Sequence, residues 1–197
     1  MKRIILSTLF APIRLCRKVL RILHIENQLL KVQHVARGYS FGIGLFIGNL
    51  GEITIGKNFE AANFTYLTTC KGGKITIGDD CFLGDNCKLA SDQSYIHIGN
   101  YCMIAENVSI RASNHGIKKG MNIREQENVF QPINIGDDVW IGKGSTILAG
   151  SRIPDGCVIG ANSLVLGKSV LRENCVYGGL PVKFLSERKH PISKITE

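Results

Sequence analysis

Five histidines stand in this chain of 197 residues: His24, His34, His97, His115 and His190. Imidazole titrates near pH 7, so its neutral form can take the proton of a weakly nucleophilic hydroxyl. His115 has the surroundings for such work. It sits in Asn114-His115-Gly116 and is followed by a polar run from Lys118 to Gln131. No two histidines are closely spaced, as a zinc site would need, and no CxxC pair occurs. The seven cysteines, Cys16, Cys70, Cys81, Cys87, Cys102, Cys157 and Cys175, are odd in number and read as buried or turn thiols of a reducing cytoplasm. Neither a phosphate-binding P-loop nor a dinucleotide fingerprint is present, and no metal is expected.

The elements that position His115 follow from a repeat. From Ile135 an apolar residue recurs at every sixth position: Ile135, Ile141, Ile147, Ile153, Ile159, Val165 and Leu171. Upstream the same spacing joins Ile77, Leu83 and Leu89, then Ile98, Ile104 and Ile110, with Ile55, Leu67 and Ile47 extending it. Helices repeat at 3.6 residues and strands at 2, so neither alone explains a period of six. A short strand plus a tight turn does, with one inward aliphatic per unit. Three units close a triangular coil of eighteen residues, and the inward residues stack in columns. Two interruptions stand out. Leu89 and Ile98 are nine residues apart, and Ile110 and Ile135 are twenty-five apart. A solenoid admits insertions at its corners, so the second becomes a loop of about 114–132 with His115 at its base.

The net charge of +8 is concentrated at the start. Residues 1–37 carry eight Lys or Arg against the single acid Glu26, and the other 160 residues are close to neutral. That distribution argues against a nucleic-acid-binding body. The apolar stretch Ile4–Ile13 is too short to span a bilayer. Arg14, Arg17, Lys18 and Arg21 fall on one face of a helix, with Ile13, Cys16, Leu20 and Leu23 on another, and Pro12 is expected to kink or start it. Two readings remain open for this arm. It lies in a membrane surface with its cations on anionic lipid, or it packs on the body and leaves its charged side in water.

With the repeat established, the sequence resembles the hexapeptide-repeat acetyltransferases, near the galactoside, maltose and xenobiotic group. The likeness covers about residues 40–185 and is sharpest in Ile135-Asn-Ile-Gly-Asp-Asp-Val-Trp-Ile-Gly, Gly160-Ala161-Asn162-Ser163 and the exit Gly178-Gly179-Leu180-Pro181-Val182-Lys183. It implies an all-β fold, a left-handed parallel β-helix with an N-terminal helical arm. The arm is set at residues 1–37, the β-helix at 38–175 and a tail at 176–197. The resemblance assigns His115 as the base that deprotonates the acceptor for direct attack on the thioester of acetyl-CoA. It assigns Asn86 to the acceptor and the developing oxyanion, Asp92 and Asn114 to the acceptor, and Trp140 to a wall of the pantetheine channel. Gly142, Lys143, Gly160 and Ala161 match positions beside the pantetheine arm. Lys143 stands where the family has serine, so its backbone alone carries over. Leu166 and Gly167 stand where relatives have Thr-Lys. Lys168 and Lys183 are matched to the coenzyme A phosphates.

The family likeness further implies a homotrimer in which one subunit supplies His115 and its neighbour Trp140 and the coenzyme A groove. The expected activity is O-acetylation of a sugar hydroxyl in surface polysaccharide synthesis, in the cytoplasm or at the inner face of the membrane. N-acetylation of an amino sugar, acetylation of a drug hydroxyl and a silent β-helix scaffold are the alternatives. Asp92, Ser94 and Glu106 are the groups near enough in sequence to orient His115.

Overall fold

The computed structural model describes residues 2–49, 51–70 and 72–189. Helix α1 (Lys2–Leu29) leads into short parallel strands wound into a solenoid of about seven coils. Each coil visits three sheets in turn. The first sheet runs from His34–Val35 to Arg152–Ile153, the second from Ser40–Phe41 to Cys175–Gly178, and the third from Phe46–Asn49 to Leu164–Val165.

The expected aliphatic columns are present. Ile55, Ile77, Ile98, Ile135 and Ile153 stand in successive register in the first sheet. Ile47, Leu67, Leu89, Ile110, Ile147 and Val165 do so in the third. All are at most 1% exposed, and burying each such side chain contributes about 1.5–3 kcal/mol. Leu171, at the foot of its column, is only partly buried.

Corners need a different solution, because a turning backbone carries its N–H groups away from the coil below. At the corner between the first and second sheets, side chains of the next coil accept them. Lys57 N–H donates to Asp79 at 2.7 Å, Asp79 N–H to Asn100 at 2.9 Å, Asn100 N–H to Asp137 at 2.6 Å and Asp137 N–H to Asp155 at 2.9 Å. The following residues Asn58, Asp80, Tyr101 and Asp138 take left-handed conformations, which Asn and Asp tolerate best. Buried thiols fill the inner side of this corner and donate to carbonyls, Cys81 to Gly99 and Cys102 to Gly136, both at 3.1 Å. Burial pushes the thiols of Cys87 and Cys157 up to about 11.

Insertions gather at the third corner, between the third sheet and the first. The turn there lengthens around Gly72 and again at Asp92-Gln93-Ser94, and after the buried Ala112 residues 113–131 leave the solenoid.

Both ends differ from expectation. Helix α1 begins at Lys2 and passes through Pro12, so Pro12 does not start it. The first rung, His34–Val35, already pairs with Thr54–Ile55 inside the stretch assigned to the arm. At the other end Cys175–Gly178 continues the second sheet, and Lys183–Glu187 adds an antiparallel strand within the stretch assigned to the tail. Residues 190–197 of that tail, and the side chains of Ile4–Ile13, Arg14 and Arg17, lie outside the described residues.

Arg21 and the polar residues after it meet the body. The first coil has no coil above it, and α1 with the turn that follows it supplies partners for its backbone. Arg21 donates to Phe41 O at 2.9 Å, His24 Nε2 to Leu45 O at 2.8 Å and Lys31 to Ile47 O at 3.0 Å, while Gln28 accepts from Ile47 N–H at 2.8 Å. Ile25 and Leu29 pack on the core beside them. Leu15, Leu20 and Leu23, in contrast, are 59–64% exposed.

Truncating a column residue tests the stacking. Ile104→Ala is expected to lower stability by about 2–5 kcal/mol in urea unfolding, with Leu171→Ala costing clearly less because its side chain is already half in water.

Candidate active site

The insertion at the third corner is a two-stranded antiparallel ribbon. Ser113–His115 pairs with Asn128–Phe130, setting His115 opposite Asn128. Its tip is tied by Gln126, whose amide accepts from Lys118 N–H at 2.7 Å and donates to the carbonyls of Lys118 and Met121 at 3.0 and 3.1 Å. Gly116 is required at the ribbon's bend, where a Cβ would meet Gln126 and the Glu127 carbonyl at 2.9 Å. His115 therefore projects from the last position of a short, internally braced strand, with its side chain exposed.

The base of the ribbon is clamped by Asp92. Ser113 Oγ donates to Asp92 Oδ2 at 3.0 Å, and Arg111 approaches the same oxygen at 3.8 Å. Asp92 thus holds the strand that carries His115, two residues away, and does not orient the imidazole itself. Glu106 does not orient it either. It pairs with Lys143 at 3.2 Å on a different edge of the solenoid, and its carboxyl is held below the usual range, first by its own backbone N–H and then by Lys143. Among the described residues none hydrogen-bonds the His115 ring. Cys70 joins the Asp92 cluster. Its thiol is raised above the ordinary value chiefly by hydrogen bonding to Asp92, then by burial and the Asp92 charge, with Arg111 opposing.

The remaining expected residues divide among four regions. Asn114, Leu166, Gly167 and Lys168 line one cleft of about 660 Å³ beside the ribbon's foot, with Ile117 and Leu148 among its walls. Gly142, Lys143, Gly160, Ala161 and Asn86 lie at the corner between the second and third sheets. Asn86 is left-handed there and donates to Asn107 Oδ1 at 2.8 Å. Trp140 stands on the second sheet in register between Met103 and Val158, 52% exposed, in a cleft that also includes Tyr101 and Arg188. Lys183 starts the terminal strand opposite Gly178. One chain therefore does not bring His115 together with Trp140, Lys143 or Ala161.

The corner that carries Lys143 and Ala161 has a feature legible only with the coils in place. In the first two coils its N–H groups find side-chain acceptors, Ile43 N–H on Asn63 at 2.9 Å and Asn63 N–H on Asp85 at 2.7 Å. Below Lys143 the next coil offers Ala161, and below Ala161 it offers Gly179, neither with a side-chain acceptor. Among the described residues the N–H groups of Lys143 and Ala161 have no partner, whereas Gly142 and Gly160 donate to Ile159 O and Tyr177 O, both at 2.7 Å. Two outward N–H donors thus stand one coil apart, about 4.8 Å, a spacing suited to successive carbonyls of an extended amide chain. The resemblance had named Lys143 and Ala161 without showing that their N–H groups lack acceptors, and sequence reasoning missed Ser113 and Arg111 at the ribbon's base. The three-residue excess between Leu89 and Ile98 was the available signal for the Asp92 clamp. No group of three His, Cys, Asp or Glu that could hold a metal is gathered among the described residues.

A parallel β-helix of six-residue units with a histidine-bearing ribbon at one corner has the frame of an acyl-CoA-dependent transferase. Residues 132–167 match the bacterial transferase hexapeptide (six repeats) family model, and residues 74–112 match the hexapeptide repeat of succinyl-transferase. WbbJ of Escherichia coli K12, whose name assigns it O-acetyl transfer in lipopolysaccharide biosynthesis, is 33% identical over 74% of this chain and 76% of its own. Further curated relatives are matched over half their own length or less. The N-acyltransferase AntD of Bacillus cereus, solved with dTDP-4-amino-4,6-dideoxyglucose and coenzyme A, superposes with a TM-score of 0.75 at 22% identity, covering 85% of this chain and 89% of that one. A galactoside acetyltransferase solved with coenzyme A gives 0.57 at 24% identity, covering 85% and 73%. The chain belongs to the hexapeptide-repeat acetyltransferases. It is an acyltransferase.

Thiol labelling checks the clamp. At about pH 8, just below the ordinary cysteine pKa, Cys16 should react first and Cys70 more slowly, because a raised pKa leaves less thiolate. The five buried cysteines should wait for unfolding. Asp92→Asn should speed Cys70 alone, as read by peptide mass.

Proposed function

We propose that this enzyme O-acetylates a hydroxyl of a saccharide by direct transfer from acetyl-CoA, in sites built between subunits of a homotrimer. The observation that carries the reading is the separation of its parts. His115 stands on the ribbon of one corner, while Trp140 and the unpartnered N–H groups of Lys143 and Ala161 face another side of the coil. A neighbouring copy that brings its second-to-third-sheet corner against the ribbon would unite them. The exposed apolar side chains of Phe82, Met103 and Trp140 on the second sheet suit burial against such a copy.

In this reading the His115 imidazole accepts the acceptor hydroxyl's proton as its oxygen bonds to the thioester carbonyl carbon. The resulting oxyanion collapses, the carbon–sulfur bond breaks, and the departing coenzyme A thiolate takes the proton from the imidazolium. Asp92, whose Oδ2 is engaged by Ser113 and Arg111, and the exposed Asn114 are the groups for the acceptor's other hydroxyls. Asn86, at the same corner as Lys143, would serve the oxyanion from the neighbouring subunit. Lys143 and Ala161 would donate to the pantetheine carbonyls beside Gly142 and Gly160, with Trp140 as the channel wall. Leu166 and Gly167 would flank the channel at the ribbon's foot, and Lys168 and Lys183 would meet the phosphates. The name of the WbbJ relative supports a surface-polysaccharide acceptor. Seven unpaired cysteines support a cytoplasmic location.

Release of free coenzyme A over a panel of sugars and amino sugars tests the chemistry. Wild type should respond to a hydroxyl acceptor, and His115→Ala should lower kcat by about 10²–10⁴. Equal rates would remove His115 from the reaction, and a response to amino sugars alone would replace O-transfer with N-transfer. Mixing decides the geometry. Co-refolding inactive His115→Ala with inactive Trp140→Ala should restore about one site in four, the random frequency of an intact pair in a ring of three. A site built within one chain recovers nothing.

A further inference from the structure

We propose that α1 seats the protein on an anionic lipid surface through its apolar side, so that the solenoid stands on the membrane with its N-terminal end down. Arg21, His24, Gln28 and Lys31 are spent on the backbone of the first coil, at Phe41, Leu45 and Ile47. The side opposite them carries Leu15, Cys16, Val19, Leu20, Ile22 and Leu23, with the aliphatic members 46–64% exposed. An amphipathic helix ordinarily turns this side to the core. Here the core end presents carbonyls, which call for donors, and the apolar side is left outward as a stripe more than two turns long.

Charge selects the occupant. Eight Lys or Arg against one acid fall in residues 1–37, and the rest of the chain is near neutral. Lys18 is exposed beside the apolar stripe. No helix among the described residues is long and apolar enough to cross a membrane. Together these describe a helix that lies in an anionic interface, apolar side inward and cations at headgroup level. The direction of the solenoid follows. The ribbon leaves after the fourth coil, and coils are spaced by about 4.8 Å, so with the helix's own diameter of about 10 Å His115 stands roughly 25 Å above the lipid. The substrate class that fits is a saccharide extended on its lipid carrier, presenting a hydroxyl several sugar units from the headgroup.

The test needs neither acetyl-CoA nor acceptor, so its failure is distinct from failure of the proposed chemistry. The full chain is sedimented with phosphatidylcholine vesicles, with and without phosphatidylglycerol, alongside the triple variant Leu15→Gln, Leu20→Gln, Leu23→Gln. Wild type should partition onto the anionic vesicles at least about tenfold more strongly than onto the zwitterionic ones. The triple variant should lose most of that binding with its melting temperature and solution mass unchanged. Wild type remaining in the supernatant with both vesicles, or a triple variant that binds as wild type does, would overturn the proposal. A triple variant whose solution mass falls without lipid would also overturn it, because a second copy of the chain would then cover the stripe.

Discussion

Coil-to-coil hydrogen bonding in parallel register is the constraint on which everything else in this molecule rests. Each strand is two to four residues long and has no stability of its own. It persists because the coil above and the coil below take its N–H and C=O groups while one aliphatic side chain drops into a column beneath another. That requirement fixes the six-residue period, the inward Ile, Leu and Val, and the confinement of insertions to corners. A slip of one residue would turn the whole column outward, so the register is held by every coil at once.

The same constraint creates problems at the ends and the corners, and the chain answers each with polar groups. Corner N–H groups between the first and second sheets are met by Asp79, Asn100, Asp137 and Asp155. The bottom edge is covered by the antiparallel strand Lys183–Glu187, where Phe184 packs edge-on against Tyr177 at 6.0 Å. The top edge is covered by the cationic and amide side of α1. The exposure of that helix's apolar side follows from what the top of a β-helix consists of, open backbone acceptors ringing a narrow aliphatic centre.

How much was legible in the sequence follows from the same physics. The columns from Ile135 to Val165 and from Ile77 to Ile110 could be read directly, because the period is local and each inward position needs the same kind of side chain. The ribbon could be located, because an insertion shows as a broken count. The clamp of Ser113 and Arg111 on Asp92 could not, since it joins residues about one coil apart at a corner where the count had already slipped. The unpartnered N–H groups of Lys143 and Ala161 were hidden for a related reason. A missing acceptor is visible only when the residue one coil below is known to be Ala161 or Gly179. Which side of the arm meets the body could not be read, because helical amphipathicity is read with the apolar side inward, a rule that presumes an apolar docking surface. Of the two roles open to Pro12 the start of the helix is excluded, because α1 extends ten residues before it.

Two departures from regularity fall in the same few coils. The third corner opens into the His115 ribbon between the fourth and fifth coils, and the second-to-third-sheet corner offers no side-chain acceptor to the N–H groups of Lys143 and Ala161 in the fifth and sixth. Among the described residues no buried side-chain nitrogen or oxygen lacks a partner. A surface so complete offers a ligand little except where completion lapses. One lapse leaves an imidazole standing clear of the wall, and the other leaves a pair of backbone donors at the pitch of one coil. They sit at comparable heights on different edges of the coil, so assembly about an axis parallel to the solenoid would bring them face to face without any change in either chain. On this view the regular columns set the height of the chemistry and the two irregular corners set its direction. The number of coils between α1 and the ribbon then sets how far from the solenoid's N-terminal end the acceptor is met.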